Sequence, residues 1–160
     1  MGAVQEELLS ERGGFAEPEL RLAEGGEGDY CAAEVLRVRH DPATDLLRVA
    51  DARVLLDCCG RRSVRAERSG GPSGGAVNIT LHDEPQPGVG RCEPGCAYDL
   101  AVGVLSAPTA PLTVRLIRDI TDAPGGPTLI WQGEVDPAAG LRRTVLDETP
   151  AAPGCGAAGP

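Results

Sequence analysis

The chain contains no lysine among its 160 residues, and all 15 of its basic side chains are arginine. Without lysine there is no phosphate-binding P-loop, no Schiff base and no lysine general base, so whole classes of enzyme are excluded. Aromatic side chains are nearly as scarce, with one Phe, one Trp and two Tyr. The core must therefore be aliphatic, and the stacking platforms that bind bases or sugars are almost missing.

Histidine is the next scarce residue, since only His40 and His82 are present. A catalytic cysteine or serine needs a neighbouring base, which is most often histidine. His40 precedes the turn residues Asp41 and Pro42, and His82 ends an alternating segment, so both fit ordinary solvated positions. We predict that the chain is not an enzyme and that it has no catalytic or cofactor-binding residues.

Positive charge is too sparse and too scattered for a polyanion-binding surface. The formal net charge is −9, and no run of arginines exceeds two residues. Nucleic acids and anionic membranes both require clustered Lys or Arg to neutralise phosphates. No apolar stretch approaches the roughly 20 residues that span a bilayer. We therefore expect neither a nucleic-acid partner nor direct membrane insertion.

Acidic residues are concentrated at the N-terminus, where residues 1–29 hold eight carboxylates against Arg12 and Arg21. Together with two Gly-Gly pairs, this composition predicts a flexible, disordered acidic leader, with room for one short helix over Val4 to Arg12. Residues 149–160 are rich in Gly, Ala and Pro and are predicted to be a disordered tail. The remaining residues, 30–148, are predicted to form one domain.

Within this domain the apolar residues alternate with a period of two far more often than 3.6, which indicates half-buried β-strands. Gly and Pro, at 22 and 14 residues, lie mostly between the alternating segments. The pattern slips in phase near Asp51, which predicts a β-bulge. We predict an all-β, antiparallel β-sandwich of seven or eight strands. The expected strands are near residues 32–39, 46–58, 64–66, 77–81, 98–104, 112–116, 129–135 and 141–146.

Six cysteines are the most distinctive residues that the chain does contain. In a regular strand Cys58 would face the core and Cys59 would face away or begin a turn. A Pro-Gly turn between Cys92 and Cys96 can bring their two sulfurs together. One interpretation is a disulfide from Cys58 or Cys59 to Cys92 or Cys96, with Cys31 as a further partner.

Two other interpretations of the cysteines stay open. Cys58, Cys59, Cys92 and Cys96, or three of them with His82, could hold a structural zinc, although neither pair has the usual two-residue gap. The cysteines could also be buried or free thiols. The disulfide interpretation is preferred, and it implies no cofactor, with zinc as the alternative.

The order Asp57-Cys58-Cys59, Cys92-x-x-x-Cys96-Ala97-Tyr98-Asp99-Leu100 and then Leu112 to Leu116 resembles uncharacterised exported β-sandwich domains of bacteria. In those domains, often lipoproteins, a cysteine cluster precedes a Tyr/Phe-Asp-Leu strand. The resemblance covers about residues 50 to 120. It implies an immunoglobulin-like sandwich on the periplasmic or outer surface, with no assigned activity. This chain lacks a signal sequence and a lipobox cysteine, and its Cys92–Cys96 spacing is wider.

The composition is typical of a GC-rich, bacterial genome, and disulfides persist in oxidising compartments. We expect a disulfide-stapled, non-catalytic structural or protein-interaction module of the cell envelope, in the periplasm or at the cell surface, with a protein as its partner and with a signal that precedes residue 1. The alternative is a cytoplasmic, cysteine-rich protein that binds zinc or responds to redox conditions.

Overall fold

The computed structural model describes residues 4–8, 34–70, 75–92, 94–105 and 110–147, with the backbone alone at 4–8, 94–97 and 105. These residues form nine strands and one short 3-10 turn, Pro137–Ala139. The strands are β1 (Val4–Leu8), β2 (Glu34–Asp41), β3 (Leu46–Asp57), β4 (Arg61–Ser69), β5 (Ala76–Glu84), β6 (Pro94–Leu105), β7 (Leu112–Ile120), β8 (Thr128–Val135) and β9 (Arg142–Asp147).

The strands form two sheets, which confirms the prediction of an all-β fold. One sheet has the order β1-β6-β3-β2-β9 and the other has the order β4-β5-β7-β8. Strands β2 to β9 correspond to the eight strands that the alternation predicts. No helix in the described ranges is long and apolar enough to cross a membrane.

One strand pair differs from the predicted antiparallel pattern. Strands β5 and β7 are parallel, with Ile79 opposite Leu116, whereas the other paired strands are antiparallel. Strand β6, which lies between them in the chain, belongs to the opposite sheet. Crossing to the other sheet and back lets β7 return beside β5 in the same direction.

The short helix suggested for the start of the leader is wrong. Val4–Leu8 form β1, which pairs antiparallel with β6 from Leu100 to Val104. Alternation could not reveal this strand, because β1 is only five residues long and two of them are adjacent glutamates. The rest of the predicted flexible leader, residues 9–29, and the predicted disordered tail, residues 149–160, lie outside the described residues.

The core lies between the two sheets and is almost wholly aliphatic, as the shortage of aromatic residues predicts. Strand β5 alternates strictly between half-buried and buried residues, so one of its faces packs inward. Tyr98 is the one aromatic side chain among the fully buried residues of the described core. Other core side chains come from both sheets, for example Leu36, Val49, Leu81, Leu100 and Val114.

The predicted phase slip in β3 is confirmed as a register shift against β6 between Asp51 and Val54. Arg53 lies in the shifted segment with a φ of 66°, in the left-handed region that non-glycine residues rarely adopt. Its backbone N–H donates a 2.9 Å hydrogen bond to Asp99 Oδ1 across the strand pair. The Asp of the Tyr-Asp-Leu segment therefore anchors the bulge that turns Val54 and Leu56 toward the core.

Candidate functional site

The predicted link between the cysteine clusters is a disulfide between Cys59 and Cys92. The two residues are 33 positions apart in the sequence, and their Cα atoms are 5.2 Å apart. Cys59 lies two residues after the end of β3, and Cys92 lies two residues before β6, so the bond ties two neighbouring strands together at one end of their sheet. We call this region, with the side chains around it, the disulfide corner.

The adjacent cysteine, Cys58, is also disulfide-bonded. The other two predicted disulfide candidates, Cys31 and Cys96, have side chains that lie outside the described part of the chain. The expectation that Cys58 faces the core is wrong, since this residue is exposed. The reason is local: the register shifts again between Leu56 and Asp57, and β3 ends there, so the alternation does not extend to Cys58.

Tyr98 supports the disulfide corner from inside the sandwich. Its side chain is 1% exposed, and its hydroxyl donates a 3.2 Å hydrogen bond to the backbone carbonyl of Cys58. The guanidinium carbon of Arg62 lies 3.9 Å from the centre of the Tyr98 ring, within the range of a cation–π interaction. The tyrosine therefore joins the aliphatic core to the polar groups of the corner.

Asp83, at the end of β5, is the acidic centre of the corner and is 1% exposed. Arg91 Nη1 donates a 2.5 Å hydrogen bond to Asp83 Oδ2. Arg62 Nε lies 3.1 Å from Asp83 Oδ1, which makes an ion pair without the alignment of a hydrogen bond. Burial raises the pKa of the Asp83 carboxyl, and the two guanidinium groups act in the opposite direction.

Arg91 connects Asp83 to the loop that follows β7. Its Nε donates to both carboxylate oxygens of Asp122 at 3.1 Å, and the same Nε lies 3.8 Å from Asp57 Oδ2. Hydrogen bonding to Asp122 raises the pKa of Arg91, and the same bond lowers the pKa of Asp122. A side chain at Gly60 would place its Cβ 2.7 Å from Asp83 Oδ1, so this tight network requires glycine there.

The geometry of the corner does not favour the zinc interpretation. The sulfurs of Cys59 and Cys92 are bonded to each other, so neither is a thiolate that could ligate a metal. Within the described ranges no group of three or more His, Cys, Asp or Glu side chains is arranged to hold a metal ion. The remaining zinc candidate, His82, has its Nδ1 3.0 Å from Asp119 Oδ2 and its Nε2 3.9 Å from Glu84 Oε2.

A second polar cluster, which the sequence analysis did not identify, lies between the sheets. Asp51 on β3 and Glu34 on β2 are buried, and both form ion pairs with Arg118 on β7. The distance from Arg118 Nη2 to Asp51 Oδ2 is 3.5 Å. Burial, followed by the charge of Glu34, raises the pKa of Asp51 well above its usual range. Asp51 continues the alternation of Leu47 and Val49, which face inward from β3. This position in the alternation was the sequence signal that could have predicted a buried carboxylate.

Comparison of the chain with protein-family models, with curated proteins and with solved structures finds no match. The resemblance to exported bacterial β-sandwich domains therefore stays a prediction.

Proposed function

We propose that the protein is a non-catalytic, disulfide-stapled module of the bacterial cell envelope, with an immunoglobulin-like sandwich that serves a structural or protein-binding role. The Cys59–Cys92 disulfide is the observation that carries this proposal. Structural disulfides persist in the periplasm and at cell surfaces, whereas cytoplasmic reductants keep most thiols reduced. The disulfide therefore favours the periplasm or the cell surface as the site of function.

The pairing of the polar groups supports a non-catalytic role for the disulfide corner. Arg62 and Arg91 are turned toward the same buried carboxylate, Asp83. Such mutual pairing lowers the cost of burying charge and fixes the positions of loops. A catalytic centre would instead aim polar groups into a pocket that admits a substrate.

Exposed apolar residues support a protein partner, and they lie on the side of the sandwich where β8 and β9 are the outer strands of the two sheets. Leu129 and Leu141 are both 53% exposed there, and Val145 is 40% exposed. The outer strand of a sheet offers unpaired backbone groups to another chain. We infer that an extended segment of a partner protein binds on this side.

Cell fractionation combined with thiol labelling tests the compartment. We expect the full chain, tagged in its bacterial host, to fractionate with the envelope, and its Cys59 and Cys92 peptides to react with a maleimide only after reduction. A cytoplasmic protein detected in the same lysate serves as the labelling control. A cytoplasmic location with both thiols reactive would contradict the proposal, and about one equivalent of co-purified zinc would favour the alternative.

Photo-crosslinking in cells tests the binding side. A photoreactive residue at Leu129 or Leu141 should give discrete adducts with another protein. The same residue at Val89, which is 59% exposed in the turn before Arg91, is the matched control. Equal adducts at the three positions would contradict binding on the β8–β9 side.

A further inference from the structure

Two carboxyl groups and one guanidinium group meet in the interior of the sandwich. Glu34 is the first residue of β2, Asp51 lies beside it on β3, and Arg118 comes from β7 in the facing sheet. The side chains of Asp51 and Glu34 are 6% and 9% exposed, and that of Arg118 is 17% exposed. We call these three residues the buried acid cluster.

The surroundings of the cluster do little to stabilise a second negative charge. A cavity of about 10 Å³ next to Asp51 is otherwise lined by apolar side chains from both sheets, including Val64, Ile79 and Leu100. Asp51 Oδ1 accepts no hydrogen bond there.

The charge count of the cluster decides its protonation. With both carboxyl groups ionised, one guanidinium would face two negative charges in a site that excludes most water, and a buried unpaired charge is costly. With one proton bound, the cluster is neutral. The carboxyl groups of Asp51 and Glu34 contact the same nitrogen, Arg118 Nη2, so they lie close enough together for a protonated Asp51 to donate to Glu34.

We propose that the buried acid cluster keeps one proton, on Asp51, at pH values where an exposed aspartate is ionised, and that this proton makes the stability of the sandwich respond to pH. The role is regulatory and independent of the proposed envelope function. The proton is bound from water when the chain folds, and it is returned to water when the chain unfolds or when the pair ionises fully. Asp51 is the group that holds it, because Glu34 has the closer contact with Arg118.

The direction of the effect follows from proton linkage. In the unfolded chain Asp51 loses its proton at an ordinary pH of about 4, whereas in the folded protein its raised pKa keeps the proton bound. Between these two pKa values the native state binds more protons than the unfolded state. The stabilisation is therefore fully present below the unfolded pKa. As the pH rises from the unfolded pKa to the folded pKa, the equilibrium constant for folding falls by up to about tenfold per pH unit.

The test compares urea unfolding of wild-type protein and Asp51→Asn between pH 4 and pH 9. Asparagine keeps a hydrogen-bond donor toward Glu34 but cannot ionise. As the pH rises, the folding constant of Asp51→Asn divided by that of wild type should increase by up to about tenfold per pH unit. The increase should level off above the pKa of folded Asp51. Glu67→Gln, at an exposed position on β4, is the matched control and should show no such shift. A ratio for Asp51→Asn that stays constant with pH would overturn the proposal.

NMR provides a second measurement that does not depend on the stability of a variant. The side-chain carboxyl signal of Asp51 in wild-type protein should titrate well above the ordinary range of an aspartate, and Glu34→Gln should move that titration to lower pH by removing the competing carboxylate. A titration midpoint at the ordinary aspartate value of about 4 would overturn the proposal. A midpoint unchanged by Glu34→Gln would also overturn it.

Discussion

Replacing Cys59 and Cys92 together by alanine should lower the free energy of unfolding by up to about 3.7 kcal/mol in the chain-entropy model, which is the value for a loop that no second disulfide shortens. The disulfide closes a loop of 33 residues. For a loop of that length, the model gives about 12.5 cal/mol/K of lost entropy in the unfolded chain, which corresponds to about 3.7 kcal/mol at 25 °C. Both cysteines are replaced, because a single free thiol could exchange with the disulfide of Cys58.

Urea unfolding followed by far-UV circular dichroism measures the effect. Reductant is omitted, so the disulfide of Cys58 stays intact in both proteins. The free energy of unfolding of a small protein falls by about 1 to 3 kcal/mol per molar urea, so the full loss would lower the unfolding midpoint by about 1 to 4 M. The control, Ser63→Ala/Ser69→Ala, changes two exposed residues and should stay within about 0.5 kcal/mol of wild type. A loss for the cysteine variant no larger than that of the control would refute the loop-closure argument.

Three further predictions concern the supports of the fold. Gly133→Ala should destabilise by about 1 to 3 kcal/mol and shift the fluorescence of Trp131, because the new Cβ would clash with the indole ring; an unchanged spectrum and midpoint would contradict this. Asp99→Ala should cost at least about 1 to 3 kcal/mol by leaving the N–H of Arg53 unpaired in the interior, whereas Asp99→Asn keeps an acceptor and should cost less. Asp122→Asn should reduce stability at pH 7, and the difference should disappear in acid. The stability that comes from the lowered pKa of Asp122 is fully present above its unfolded pKa and is lost as the pH falls through its folded pKa; a difference that does not shrink in acid would show that this ion pair is not its source.

The secondary structure was largely predictable from local patterns. Strand β5 alternates without interruption, and its burial follows the same alternation. The slip in phase at Asp51 predicted a bulge at the point where the register shifts. Both features depend on which face of a strand each side chain occupies, and this is a property of neighbouring residues.

The candidate site was predictable only in part. Turn chemistry and the spacing of the cysteines restricted the disulfide to four pairings, and the chosen pair, Cys59 and Cys92, depends on where β3 stops alternating. No local pattern in the sequence distinguishes Asp83 from an ordinary surface carboxylate. Its importance comes from Arg62 near the start of β4 and Arg91 in the loop before β6, which pair with it only in the folded chain.

By itself the sequence determined an all-β fold with an aliphatic core and a bulge near Asp51, because periodicity, turn residues and composition act over short stretches of chain. It left the cysteines open between a disulfide, a zinc site and free thiols. Only the tertiary structure decided the parallel pairing of β5 with β7 and the meeting of Glu34, Asp51 and Arg118. Arg118 is 84 positions from Glu34 and 67 from Asp51. A period of two determines which face a side chain occupies but not which strand lies beside it or opposite it, so these contacts arise only when the two sheets pack together.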